Sequence, residues 1–276
     1  TFPGFSLENT ASSQWIPFLE RSMATNAFGP DSGLGVHLTK WGENYSLNGS
    51  ILTPKQGEGN STKSDHISTS ARATYAPHID IDGASIFQVG VSGHYQREKD
   101  ASLSTHPEAK ARNTTKVLDT GAIDSKNLYT LGVDLAGQNG PLYGEVEYQH
   151  ATVHRSKDST QGTVKFKGYH AQMAYVITGG VRKYNPKNGT FGQVVPETDS
   201  DGEIELATRY SYVNLNHKDV NGGAAHNVSL GVNWYLTKHL KVSGNYIHSK
   251  VHAADSINDD SARKLNIFAA RLQVSF

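Results

Sequence analysis

The sequence contains no cysteine in 276 residues, which excludes a disulfide framework, a thiolate metal site and a cysteine nucleophile. It also lacks any run of about 18 apolar residues, so no ordinary transmembrane helix is present. A barrel strand remains open, because about 9–11 residues with one apolar face suffice for it. Hydrophobic residues make up only 36% of the chain, so a conventional two-sided core would be thin for this length. Net charge is missing too. The 26 Lys and Arg balance 26 Asp and Glu, and bulk electrostatics give a nucleic-acid partner no support. No nucleophile elbow, P-loop or paired-carboxylate motif occurs, and Gly33-Leu-Gly35 is too short for a dinucleotide fingerprint. Neither catalysis nor a cofactor is expected.

What the chain does contain is period-two alternation. Phe268, Ala270, Leu272, Val274 and Phe276 share one face of a strand, and Ala269, Arg271, Gln273 and Ser275 share the other. Val228, Leu230, Val232, Trp234 and Leu236 repeat the pattern. So do Leu142, Val146 and Tyr148 against Tyr143, Glu145, Glu147 and Gln149, and Ile204, Leu206, Tyr210 and Tyr212 against Glu203, Glu205, Arg209 and Ser211. Continued along the chain, the alternation predicts about eleven strands, near 33–42, 45–54, 65–77, 84–98, 123–136, 141–154, 162–178, 202–215, 225–236, 240–253 and 263–276. They are long compared with the common globular strand of about 5–6 residues, which favours an antiparallel transmembrane β-barrel over a sandwich. Tight turns are expected at Gln138-Asn139-Gly140 and Thr237-Lys238-His239, and longer polar loops at 99–122, 216–224 and 254–262. Short turns on one side and long loops on the other form the outer-membrane pattern. The connection 179–201 breaks it, being long on the short-turn side. Aromatic residues near strand ends (Trp41, Tyr45, Tyr75, Tyr95, Trp234, Tyr246) suit interfacial girdles. Residues 1–32 lack strand alternation and read as a segment folded into the lumen, with 33–276 as the barrel wall.

The 13 histidines are dispersed. Even His150 and His154, on one strand face, would lie about 13 Å apart at about 3.3 Å per residue. No metal site is expected from such spacing.

Phe5-Ser-Leu-Glu-Asn-Thr-Ala-Ser-Ser-Gln-Trp15, followed by Phe18-Leu-Glu-Arg21, resembles the inward-folded constriction region of the phosphate-selective porin O and P family. Gly168-Tyr-His-Ala-Gln-Met-Ala-Tyr-Val-Ile-Thr-Gly179 with Arg182 and Tyr184, Arg209-Tyr-Ser-Tyr212 and Leu230-Gly-Val-Asn-Trp-Tyr235 are similar to that family's barrel motifs, in the family's order. The resemblance implies a sixteen-stranded, trimeric barrel in the bacterial outer membrane, in contact with lipid bilayer and lipopolysaccharide. It also implies that about five strands precede Thr1. On this reading Asn9, Ser12, Ser13, Gln14, Glu20 and Arg21 belong to the constriction. Lys110, Arg112 and Lys116 stand at the pore mouth, in the loop that matches the family's arginine-rich ladder.

Two departures bear on selectivity. The constriction region of the phosphate-selective members carries lysines, whereas no lysine occurs here before Lys40. The mouth loop is diluted by Asp100, Glu108 and Asp119. Oxyanion selection needs several fixed cationic donors in a dehydrated throat, so the expectation is passive diffusion of small hydrophilic solutes with weak anion preference. The alternation turns Arg72, Arg209, Lys241 and Arg271 inward with Asp134, Glu145, Glu147, Glu203 and Glu205, either as a transverse field across the pore or as mutually neutralising charges. Two other classes stay open at this point: a surface adhesin whose barrel only displays loops, and a soluble β-sandwich or lectin.

Overall fold

The computed structural model describes residues 4–54, 67–80, 84–109, 116–156, 161–196, 201–252 and 263–275. Phe276 and the whole of the expected 254–262 loop lie outside these residues. Two short helices, α1 (Leu7–Thr10) and α2 (Met23–Phe28), come first. The strands follow as β1 (Gly33–Trp41), β2 (Tyr45–Pro54), β3 (Ser68–Asp80), β4 (Ser85–Gln96), the two-residue β5 (Asp100–Ala101), β6 (Ser104–Thr105) and β7 (Leu118–Asp119), β8 (Ile123–Asn139), β9 (Leu142–Arg155) and β10 (Val164–Val176). Then come the short β11 (Arg182–Asn185) and β12 (Thr190–Val194), and the long β13 (Glu203–His217), β14 (Val220–Tyr235), β15 (Leu240–His252) and β16 (Arg263–Val274).

The eleven long strands form one sheet in the order β1-β2-β3-β4-β8-β9-β10-β13-β14-β15-β16, and every pairing in it is antiparallel. The fold is all-β, as the alternation requires. β1 and β16 are the sheet's two edges and do not pair with each other, so the described wall is not closed.

Polarity across the sheet is inverted relative to a water-soluble protein. Leu131, Val133, Leu135, Val146, Met173, Leu230 and Val232 are exposed on one face, while Arg72, Asp134, Glu145, Glu147, His170, Glu205, Arg209 and Asn227 are buried on the other. Trp41, Tyr45, Phe87, Tyr175 and Trp234 lie on the outer face near the short-turn strand ends; Tyr95, Tyr129, Tyr169 and Tyr212 lie toward the other ends. These are two aromatic bands flanking an aliphatic one. Tyr246 instead sits mid-strand, stacked on Phe268 at 4.8 Å.

The sheet curls around the N-terminal segment. A methyl group at Gly4 would lie 2.8 Å from Cβ of Asn48 on β2 and 3.3 Å from His37 on β1, while Leu19 O, in the same segment, accepts from Arg271 on β16 at 3.3 Å. One stretch of chain therefore touches both edge regions of the wall. α2 packs Met23, Ala24, Ala27 and Phe28 against an apolar patch of the inner face that includes Ala151, Val153, Phe166 and Val213, and against Leu103 and Leu118 of the 97–122 connection.

The expected 216–224 loop is a correction. β13 and β14 run on to a two-residue turn, Lys218–Asp219, with Lys218 at φ 55°. The hairpin is tied to the neighbouring loop by Arg155–Asp219 at 2.5 Å and by Lys218 Nζ to Thr163 O at 2.8 Å. Its strand ends look like a loop in sequence because they have lost the apolar outer face that marks a strand. The parity-breaking 179–201 connection is also explained. It contains the β11–β12 hairpin, which folds back onto the inner face, where Asn188 O and Gly189 O accept from Arg72 and Lys187 O accepts from Ser46.

Gly168 sets how closely α2 approaches the wall: a Cβ there would stand 2.8 Å from Phe28 and 3.0 Å from Ala24. Gly168→Ala should therefore push α2 away from the wall, further into the lumen, and cost about 1–3 kcal/mol. The check is the thermal midpoint in detergent, and an unchanged midpoint would contradict this packing.

Candidate functional site

Among the described residues the inner face holds three segments: 4–32 and the parts 97–109 and 116–122 of one connection from the long-loop side, and the β11–β12 hairpin from the short-turn side. Each is fastened by a guanidinium carried by the wall or by the hairpin itself. Two serine caps shape the first segment. Ser6 Oγ accepts from Asn9 N and Ser22 Oγ from Thr25 N, satisfying N–H groups that helices as short as α1 and α2 would otherwise leave free. Arg21 donates to Glu8 O at 2.9 Å, Asn9 O at 3.3 Å and Ala11 O at 3.0 Å, so it closes the carbonyl end of α1.

Arg209, on β13, is where two segments meet. Its Nη1 donates to Glu8 Oε1 at 3.0 Å, its Nη2 to Glu108 Oε2 at 2.9 Å and to Glu20 O at 3.0 Å, and its Nε to Glu108 Oε2 at 3.2 Å. The guanidinium stacks on Phe18 at 4.2 Å. Glu108 also accepts from Met23 N at 3.0 Å and from the hydroxyls of Ser211 and Ser229. In the hairpin, Arg182 pairs with Glu205 of β13 and donates to Trp15 O at 2.7 Å, which joins the hairpin to the first segment. Arg72 pairs with Asp134 at 2.6 Å.

Burial works against ionisation of Glu8, but His170, Arg209 and the hydroxyls of Thr25 and Ser22 outweigh it and hold the carboxyl below its ordinary value of 4.5.

The expected constriction residues lie together on the first segment, in different surroundings. Ser13 and Gln14 are exposed; Asn9, Ser12, Glu20 and Arg21 are half-buried. Gln14 O accepts from Lys241 Nζ at 3.5 Å and from Gln273 at 3.4 Å. Arg72, Glu145, Glu147, Glu205, Arg209 and Lys241 are all buried on the inner face, and Arg271 is half-buried beside Leu19. Lys110 and Arg112 lie outside the described residues. Lys116 is exposed and pairs with Asp119 at 3.0 Å. The sequence names Glu108 only as a charge diluting the mouth loop, whereas the structure buries it against Arg209, and it gives Glu8 and His170 no role of their own, although both are buried inside. A buried Arg209 demands a carboxylate, but nothing local says that the partners are 201 and 101 residues away.

The profile of the family described as phosphate-selective porin O and P matches residues 2–276. The chain belongs to this porin family. Among curated relatives, Porin O of Pseudomonas aeruginosa is 27% identical over 311 residues, covering 99% of this chain and 68% of that protein. An uncharacterised protein of Caulobacter vibrioides is 25% identical over 278 residues, covering 94% of this chain and 54% of its own length. Porins are channels, so this is not an enzyme family. Within the porin frame, the segment carrying Glu8 and the connection carrying Glu108 are inward folds held at a single wall cation.

Arg209→Met should leave two buried carboxylates without their cation, at about 3–5 kcal/mol. Limited proteolysis should then cut within 4–32 and 97–122, whereas wild-type protein resists; equal resistance would refute the role of Arg209 as anchor. Because the Glu8 carboxyl is depressed in the folded state, its stabilising contribution is complete above about pH 4.5 and fades as pH falls through the lowered value. Protease resistance of 4–32 should accordingly persist at pH 5 and decline well below it. Loss already between pH 7 and 5 would contradict that assignment.

Proposed function

We propose that the protein is an outer-membrane diffusion channel for small hydrophilic solutes, with weak preference for phosphate-like anions. The observation that carries this reading is the inverted polarity, sustained over eleven strands, with aliphatic and aromatic side chains outward and charged ones inward. A polar lumen in an apolar wall suits a water-filled pore in lipid. Edge strands β1 and β16 need partners there, since unpaired backbone groups cost several kcal/mol each in hydrocarbon. Further strands of a sixteen-stranded barrel would supply them, and the family resemblance favours a homotrimer set among lipid and lipopolysaccharide.

The charges argue for a modest anion preference. Arg72, Arg182 and Arg209 are neutralised by Asp134, Glu205, Glu8 and Glu108. Lys241 has no carboxylate at ion-pair distance among the described residues, and it lies over the Tyr235 ring at 5.0 Å. With Arg21 and Arg271 bonded to backbone carbonyls nearby, these few cations bias a pore toward anions without the ladder that strong oxyanion binding requires. The residues Asn9, Ser12, Ser13, Gln14, Glu20 and Arg21 would set its narrowest part.

Full-length protein in planar lipid bilayers should give discrete conductance steps, with a reversal potential in a KCl gradient displaced slightly toward chloride. Lys241→Glu should abolish or invert that displacement. Absence of steps would overturn the channel and leave a loop-displaying barrel; strong cation selectivity of the wild type would overturn the anion preference.

A further inference from the structure

We propose that Glu8, Glu145 and His170 form a seat for one divalent metal ion of borderline hardness, of the Zn²⁺ type, which pins the inward-folded first segment to the wall. Glu8 comes from α1, Glu145 from β9 and His170 from β10. One ligating atom of each lies within 4.8 Å of the others, and His170 Nε2 is 2.9 Å from Glu145 Oε1. Their exposures are 1%, 5% and 0%. Two carboxylates and an imidazole form a donor set suited to zinc-like ions, with a fourth position left for water. Strand register explains the convergence: Glu147 is opposite His170, so Glu145 stands diagonally beside it on the same face.

Charge supports the same seat. Four buried carboxylates, Glu8, Glu108, Glu145 and Glu147, share this layer with one guanidinium, Arg209, which serves Glu8 and Glu108. Glu145 has only His170 and the Tyr143 hydroxyl, and Glu147 has Glu8 N–H at 2.5 Å and the Gln149 amide at 3.1 Å. Buried carboxylates without a cation cost several kcal/mol each; a divalent ion among Glu8, Glu145 and His170 takes the place of the proton that His170 carries in its absence and adds one positive charge to the layer.

An independent observation comes from Gln172, two residues beyond His170 on β10. It is 3% exposed, and neither its amide oxygen nor its nitrogen has a hydrogen-bond partner. It lines a cavity of about 10 Å³ together with Glu8 and Glu145; Arg182, which also borders it, is engaged by Glu205. That volume suits one water, which as fourth metal ligand would satisfy Gln172. The carboxylates are already aimed by outer contacts: Ser22 N–H donates to both oxygens of Glu8 at 3.0 Å, and the Tyr143 hydroxyl donates to Glu145.

The test is metal stoichiometry on full-length protein in detergent, stripped with a chelator and titrated with ZnCl₂ and then with CoCl₂. One ion per chain is expected, with the visible absorption of tetrahedral Co²⁺. His170→Asn and Glu145→Gln should each weaken binding about tenfold or more, while Glu203→Gln, at a residue that contacts Thr178 and Gly180 at the short-turn end of β13, should leave it intact. Should a variant fold poorly, the wild type still decides through metal-dependent protection of residues 4–32 from protease. Stripped wild type that takes up no stoichiometric Zn²⁺, binding indifferent to His170 and Glu145, or displacement by equimolar Ca²⁺, which prefers oxygen ligands alone, would overturn the proposal.

Discussion

A β-strand turns successive side chains to opposite faces, and along eleven strands of this chain one of those faces is apolar. Everything else follows from how the chain meets that constraint. A sheet with greasy residues on the outside and charges on the inside cannot fold around an oil-like core. It needs an apolar surrounding, and it needs something to pair the charges it turns inward. The outer face answers the first need with its aliphatic band between aromatic bands. The inner face answers the second with inserted chain.

The inward segments bring carboxylates to Arg209 and carbonyls to Arg72 on the wall, and the hairpin brings Arg182 to Glu205. Arg209 gathers Glu8, Glu108 and the Glu20 carbonyl, and Arg72 gathers Asp134 and two hairpin carbonyls. Such pairs contribute little net stability beyond offsetting their own desolvation, yet removing one partner strands the other. They act as registration points for the inserts more than as sources of stability. Pairing also spends most of the inner cations on structure, which leaves Lys241 as the described inner lysine without a carboxylate and keeps the expected anion preference weak.

Several features were legible before any coordinates. The wall strands were readable because each carries its own period-two signal, and the tight turn at Gly140 was readable because a positive φ of 54° favours glycine. The inward side of Arg72, Glu147 and Arg209 followed from the same parity. The 216–224 region was misread because strand extensions beyond the apolar band lose the alternation that identifies a strand. The β11–β12 hairpin left a visible trace, a long connection on the wrong side, without revealing where it goes. The partners of Glu8, Glu108 and His170 left none, since they lie between 25 and 201 residues away.

By itself, then, the sequence determined the all-β class, the eleven strands and the face each wall residue occupies, because strand alternation is a local property of neighbouring residues. Only the tertiary structure decided which charges meet: that Arg209 binds two segments, that the hairpin turns inward, and that Glu8, Glu145 and His170 stand within 4.8 Å. Those pairings depend on how far a curled sheet and its inserts close on one another in space, and no spacing along the chain encodes that distance.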